Sequence, residues 1–335
     1  MNPGFPGLRT LASHSRAVHS VPVTQNRVVV AAAFGGPEVL QVVEGPRVEP
    51  GPGNVVVQVR AAGVNPIDWK TYADSPGADA SRLPLRLGLE VAGVVSAIGP
   101  GVRWLSEGDE VIAWRVRGGY ADQLEVSEQV TVRRPADLSW AAAGGLMLAG
   151  TTAVHALTAT SVHRGDVVLV HGGSGGVGRM VVQLAELRGA TVVATASPHA
   201  HDDLRSLGAI PVEYGAGLIE RIRAVAPGPI TAAIDTVGTD EALDTSVALV
   251  ADRARIATIA GFARASSLGI LALGGGPGAD PGTDIREAAR GQLAELASDG
   301  ALDVRVARTY ALDDVADAHR EGRGGHAGGK LVLLP

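Results

Sequence analysis

The chain has 335 residues, enough for two domains with separate cores, and a formal net charge of −6 at pH 7. It is 46% hydrophobic and 19% charged with no basic stripe, which argues against a nucleic-acid partner. The absence of cysteine excludes disulfides, thiolate nucleophiles and cysteine-ligated zinc, and fits a cytoplasmic protein.

Met1 to Pro37 contains no acidic residue but carries Arg9, Arg16 and Arg27. A disordered extension over residues 1–26 is the expectation, with an organellar presequence as the alternative. Strand-like runs follow at Arg27–Ala33, Val55–Ala62, Val91–Ile98 and Asp109–Ala113, punctuated by Gly, Pro and Asp as in an antiparallel barrel. From about Ala149 the pattern becomes strand and helix in alternation. Short buried-type strands are expected at Val167–His171, Thr191–Thr195, Thr231–Ile234 and Arg255–Ile259. Helices are expected between them at Val177–Arg188, Asp202–Leu207, Leu218–Ala226 and Glu241–Leu249. Such alternation implies a doubly wound parallel sheet. A Gly/Pro-rich connection at Gly274–Gly282 leads to a helix over Asp284–Ser298, and the chain ends in a β-like tail, Lys330–Leu334. No apolar run reaches the roughly 18 residues of a membrane helix, so no membrane association is expected.

The run Val167-Val-Leu-Val-His-Gly-Gly-Ser-Gly-Gly-Val-Gly178 carries the most chemistry. Gly173, Gly175 and Gly178 stand in G-x-G-x-x-G register between a strand and a helix starting near Val177, the setting in which that pattern binds a dinucleotide pyrophosphate. Ser174, Gly176 and Val177 complete the loop, whose free N–H groups and helix dipole suit phosphate. The next strand ends at Thr195 and is followed by Ala196, Ser197, Pro198 and His199, with no acid before Asp202. An NAD site places an acid there for the ribose diol; a hydroxyl followed by His199, His201 and Arg205 suits a 2′-phosphate, so the expected cofactor is NADPH.

An ordered set of further stretches resembles a known family. They are Ala61-Ala-Gly-Val-Asn-Pro-Ile-Asp68, Gly88-Leu-Glu-Val-Ala-Gly93 running on to Gly99, Gly108-Asp-Glu-Val111, Gly118-Gly-Tyr-Ala121, Gly150-Thr-Thr152 and Gly329-Lys-Leu-Val-Leu333. With the glycine loop they resemble the zinc-independent quinone oxidoreductase (zeta-crystallin-like) branch of the medium-chain dehydrogenases/reductases. The resemblance implies an α/β fold: a GroES-like β-barrel catalytic domain from residues 27–148 and 287–335, and a doubly wound parallel-sheet Rossmann domain, residues 149–286, inserted between them. It implies a small-molecule substrate in the interdomain cleft, and a homodimer joined through sheet edges, here Leu268–Leu273. It also implies that Thr151 or Thr152 meets the nicotinamide, that His199 and Tyr214 match the Lys and Tyr that hold a 2′-phosphate in relatives, and that Lys330 belongs to the cofactor site. Zinc-dependent members have Cys where this chain has Asn65, and His where it has Leu89, so no metal is expected.

Catalysis without metal needs an acceptor that is already electrophilic, such as a quinone, or a donor at an enone carbonyl. The segment Asn65–Tyr72 supplies the candidates: Asn65 as donor to a carbonyl oxygen or to the nicotinamide ribose, Tyr72 as proton donor, and Asp68 as an orienting group. Lys70 is read as a solvated side chain. The expected function is NADPH-dependent hydride transfer to a quinone or α,β-unsaturated carbonyl. The alternatives are an enoyl-thioester reductase of a biosynthetic pathway and a non-catalytic NADPH-binding protein.

Overall fold

The computed structural model describes residues 25–74, 78–325 and 328–335. Residues 1–24 of the expected extension lie outside the described residues.

The described residues open with antiparallel strands. β1 (Asn26–Ala31), β2 (Leu40–Gly45) and β4 (Leu85–Arg86) form a small sheet in the order β2-β1-β4. β3 (Asn54–Val64) is followed by a short helix, α1 (Pro66–Thr71), and pairs with β5 (Glu90–Ile98), which pairs with β6 (Glu110–Trp114). β7 (Gln123–Ser127) pairs with β3, and β8 (Thr131–Arg133) with β6. The last strands of the chain, β15 (Val306–Ala311) and β16 (Lys330–Leu334), complete this larger sheet, because β16 pairs antiparallel with β3. Both ends of the chain therefore build one barrel around a core of inward-facing residues such as Val57, Val91 and Leu333.

Between these halves lies a six-stranded sheet whose ladders are all parallel. Its strands are β9 (Val167–His171), β10 (Thr191–Thr195), β11 (Ile210–Val212), β12 (Ala232–Asp235), β13 (Ile256–Thr258) and β14 (Leu271–Ala272). The order is β11-β10-β9-β12-β13-β14, so the topology reverses between β9 and β12, where a doubly wound sheet opens a crevice for a dinucleotide. Alternate residues of each strand feed opposite layers: Val168 and Val192 face one core, Leu169 and Val193 the other. The connecting helices are α3 (Gly176–Leu187), α4 (His201–Ser206), α5 (Leu218–Val225), α6 (Asp240–Leu249) and α7 (Phe262–Leu268).

Two helices join the units. α2 (Trp140–Ala159) and α8 (Thr283–Ser298) pack against each other, and the boundaries expected at 148/149 and 286/287 both fall inside them. α2 is long and apolar enough to cross a membrane, yet 72% of its apolar window is buried as a core helix. α9 (Val315–Gly324) packs on the barrel before β16.

The segment expected to form an edge strand is shorter than anticipated. α7 occupies the chain up to Leu268, Gly269 turns it with φ +66°, and only Leu271 and Ala272 pair with β13. β14 does lie at the sheet edge. Ile270, however, is buried in the core of its own chain, so a charge placed there would disrupt that core rather than report on an interface.

Candidate active site

β9 delivers the chain into the glycine loop, which uses its glycines for different reasons. Gly172 turns with φ +77°, a conformation that penalises any side chain. A Cβ on Gly178 would sit 2.1 Å from the Gly172 carbonyl oxygen, so this position lets α3 lie against the turn. A Cβ on Gly173 would come within 2.8 Å of Ala194 on β10. Gly175 has ordinary extended backbone, and a Cβ there would meet only the Gly172 oxygen at 3.4 Å. Ser174, Gly175, Gly176 and Val177 line a cleft of about 1450 Å³ that both units wall. The bare backbone at the N-terminus of α3 is the cradle a pyrophosphate requires, and the residues present fit such a group. Gly175→Leu is therefore expected to fold normally and to lose dinucleotide binding, checked by fluorescence titration beside a thermal melt.

One side of the cleft, where an adenosine would lie by the sequence expectation, holds Ser197 and Tyr214, the latter half-exposed. His199 is not among the residues lining the cleft; its ring nitrogen Nδ1 lies 3.1 Å from the Ser197 hydroxyl. Arg205 is paired at the surface with Asp202 at 2.6 Å. The Glu241 carboxylate accepts from the Gly215 N–H at 3.0 Å and also lines this side. Ser197 and Tyr214 thus both line the cleft, and no paired cation is seen beside them among the described residues.

At the opposite side, Asn65 lies at the junction of β3 and α1 and is buried. Its amide donates to the Gly63 carbonyl at 3.1 Å and to Glu90 Oε1 at 3.0 Å, and its carbonyl oxygen accepts from Lys330 Nζ. Lys330 also donates to Glu90 Oε1 at 3.0 Å, and Glu90 Oε2 accepts from the Leu148 N–H of α2 at 2.8 Å. This corrects the expected donor role: both Asn65 N–H groups are already committed, so the residue anchors Lys330. Lys330 itself lines the cleft and reaches past the glycine loop, its Cδ lying 3.2 Å from where a Cβ on Gly176 would stand.

Asp68 and Tyr72 do not reach the cleft. The Asp68 carboxylate accepts from the Asn65 backbone N–H at 2.8 Å and the Tyr120 hydroxyl at 2.7 Å. Burial pushes its pKa up to about 6, opposed by those two hydrogen bonds and by the charge of Lys330. Tyr72 is fully buried, its hydroxyl 2.7 Å from His319 Nδ1, and burial raises its pKa to about 12. A hydroxyl so enclosed is not placed to protonate a substrate in the cleft, and Tyr72→Phe is expected to alter stability rather than proton delivery. Thr151 is likewise buried, whereas Thr152 lines the cleft, donating to the Leu148 carbonyl at 2.7 Å. Gly173 and Gly178 act through packing and do not line it.

The sequence reading missed much of the acceptor side. Lys70 is solvent-exposed as expected, but it lines the cleft, together with Trp114, Arg115, Arg117 and Arg286. Arg115 and Arg117 flank the Gly118-Gly-Tyr motif and were open to notice; Arg286 arrives from α8 with no local signal.

A parallel nucleotide-type sheet set against a GroES-like barrel, with a shared cleft carrying a phosphate loop, defines an oxidoreductase of the pyridine-nucleotide type. Comparison with known proteins narrows this. Residues 51–147 match the alcohol dehydrogenase GroES-like domain and residues 207–333 the zinc-binding dehydrogenase domain. The chain is 32% identical over 322 residues to a quinone oxidoreductase of Pseudomonas aeruginosa, covering 91% of this chain and 98% of that one. It is 32% identical over 276 residues to the chloroplastic NADPH-dependent alkenal/one oxidoreductase of Arabidopsis thaliana, covering 76% and 69%. Other matches, such as reticulon-4-interacting protein 1 of Caenorhabditis elegans at 36% over 185 residues, span about half of the relative. A mycobacterial protein solved with NADPH superposes with a TM-score of 0.80 at 28% identity, covering 92% of this chain and all of that one. The chain belongs to the medium-chain dehydrogenase/reductase superfamily, in its quinone oxidoreductase branch.

Proposed function

We propose that the protein transfers a hydride from NADPH to a quinone or an α,β-unsaturated carbonyl compound, without a metal. The observation that carries this reading is the single cleft that joins the glycine loop to the buried Asn65–Glu90–Lys330 group. In zinc-dependent members that location supplies Cys and His; here it supplies an amide already engaged in hydrogen bonds and Leu89, neither of which is a useful zinc ligand. The names of the Pseudomonas and Arabidopsis relatives support the substrate class. NADPH is preferred over NADH in this reading because β10 ends without an acid and Ser197 and Tyr214 face the cleft.

Gly172–Val177 and Lys330 hold the cofactor, which when bound supplies the hydride from its nicotinamide. Lys330 is fixed by Asn65 and Glu90 on the cleft wall, with its aliphatic stem along the glycine loop. Apolar Leu89 and Trp114 shape the acceptor side. With Tyr72 enclosed, the proton for the carbon next to the carbonyl comes from solvent, which enters the open cleft. We also propose a cytoplasmic homodimer joined at the β14 edges, where an unpaired strand is otherwise a liability.

The test is a fluorescence titration with both nucleotides and a turnover panel of quinones, enones and enoyl thioesters. NADPH should bind more tightly than NADH, and one of the first two acceptor classes should be consumed. Tighter NADH binding refutes the cofactor choice, and turnover confined to thioesters refutes the substrate class.

A further inference from the structure

The charges lining the cleft are segregated. Five basic side chains, Lys70, Arg115, Arg117, Arg286 and Lys330, line it, while its one acidic lining residue is Glu241 on the adenosine side. This concentration of positive charge stands in a chain whose net charge is −6. Lys330 is neutralised by Glu90. The other four are not matched in that way. Lys70 and Arg117 have no ion pair among the described residues, and Arg115 holds Glu287 at 2.9 Å with both side chains more than 40% exposed, a contact worth little in water.

Of these groups, Arg115 and Arg286 lie close enough for their charges to act on one another. Glu90 pairs with Trp114 across the β5–β6 ladder, and Arg115 follows Trp114 in the chain. Arg286 donates through Nη1 to Thr152 Oγ1 at 3.2 Å, and Thr152 in turn bonds the carbonyl of Leu148, whose N–H meets Glu90. Arg286 is positioned by His155, which accepts from its Nε at 3.2 Å and lies 3.2 Å from Asp280. This leaves Arg286 Nη2 buried with no partner among the described residues, and an unpaired guanidinium N–H is costly unless a ligand satisfies it. Arg115 is itself held at φ +64°, a left-handed conformation that costs a non-glycine residue free energy and gathers at functional sites. Burial and the nearby charge of Arg115 press the pKa of Arg286 downward, opposed by the charge of Asp280.

We propose that this arginine-lined end selects an anionic acceptor, an α,β-unsaturated carbonyl compound that carries a carboxylate or phosphate group. The proposal rests on the hydride-transfer function above and specifies its substrate. The anion is held by Arg115, Arg117 and Arg286, which places the double bond beside Lys330 and the glycine loop. A bound carboxylate or phosphate receives the charge-assisted hydrogen bonds that these side chains are shaped to give. The hydride goes to the β carbon, the electron pair of the double bond moves toward the carbonyl oxygen, and a solvent proton completes the α carbon.

The experiment compares acceptors that differ in charge but not in reactive group. The first pair is 6-oxo-4-heptenoate and its methyl ester, in which two methylenes insulate the enone from the charged end; the second is 6-(phosphonooxy)hex-3-en-2-one and the free alcohol, 6-hydroxyhex-3-en-2-one. The variant is Arg115→Gly combined with Arg117→Gln: glycine tolerates the φ at 115, and Arg117 is exposed, so folding is preserved. In the unaltered protein the anionic member of one pair should show kcat/KM at least about tenfold above its neutral partner, and the variant should bring that ratio close to one. A gain in the first pair assigns the site to a carboxylate, a gain in the second to phosphate. Equal kcat/KM within both pairs, or a ratio that the variant leaves intact, overturns the proposal. Calorimetric binding of 4-oxopentanoate, which has no reducible double bond, to the NADP⁺-loaded protein separates this from the hydride-transfer reading. If no acceptor is reduced yet this anion binds and the variant abolishes binding, the assigned activity falls and the anion site stands. If it neither binds nor any acceptor is reduced, both fall.

Discussion

Lys330→Met is expected to destabilise the protein by about 3–5 kcal/mol, because it leaves Glu90 buried and ionised without its cation. Glu90 is fully buried and Lys330 nearly so, and the Lys330 ammonium is one of the groups that satisfy Glu90 Oε1. The same change should weaken NADPH binding beyond what the loss of stability explains, since Lys330 lies along the glycine loop. Pairing it with Glu90→Gln removes the stranded charge, so the double variant should regain much of the stability while remaining poor in cofactor binding. Chemical denaturation of the two single variants and the double variant measures the coupling. Additive effects would mean that the pair contributes nothing jointly, contrary to the geometry.

Acidification should produce the second large effect. Burial holds His171 and His319 at a pKa of about 4, with Arg323 adding to the depression at His319. In the unfolded chain each takes up a proton near pH 6.5, whereas in the folded protein each stays neutral until about pH 4. Stability is therefore lost as pH falls through that window. Asp68 works in the opposite direction: its folded pKa is raised to about 6 from 3.8, so between those values the folded state holds the extra proton and gains stability on acidification. Among the groups shifted furthest, two histidines against one carboxyl leave a net loss of roughly one proton's worth, on the order of 2–3 kcal/mol between pH 6 and pH 4. His155, depressed by burial, adds to it, while Asp235 and Glu186, raised by burial, subtract. Thermal melts across that range should show a falling midpoint, and His319→Asn should flatten the slope. A slope unchanged in that variant would place the acid sensitivity elsewhere.

The parts legible in the sequence were those set by local geometry. The glycine loop could be read because strand, turn and helix are contiguous, and the alternation of β9 through β13 with helices specified the parallel sheet. The departures at Asn65 and Leu89 were legible as residue chemistry. The roles expected for Asn65–Tyr72 follow residue chemistry and take no account of periodicity. Pro66–Thr71 is a helix, so Asp68 and Tyr72, four apart, share the buried side, while Ile67 and Lys70, three apart, share the cleft side. Helical periodicity applied there would have moved Tyr72 into the core and Lys70 into the site. α2 escaped because it is buried nearly all round and shows no amphipathic stripe. Arg286 and Glu90 meet only through α2, a relation that no local pattern encodes.

The most direct measurement follows the hydride. NADPH carrying deuterium at the transferable C4 position is incubated with an enone and with the protein after exhaustive chelation, and the product is read by mass spectrometry and NMR. The account predicts one deuterium at the β carbon, a solvent-derived hydrogen at the α carbon, and a rate equal to that before chelation. Unlabelled product, or activity lost on chelation and restored by zinc, would contradict it.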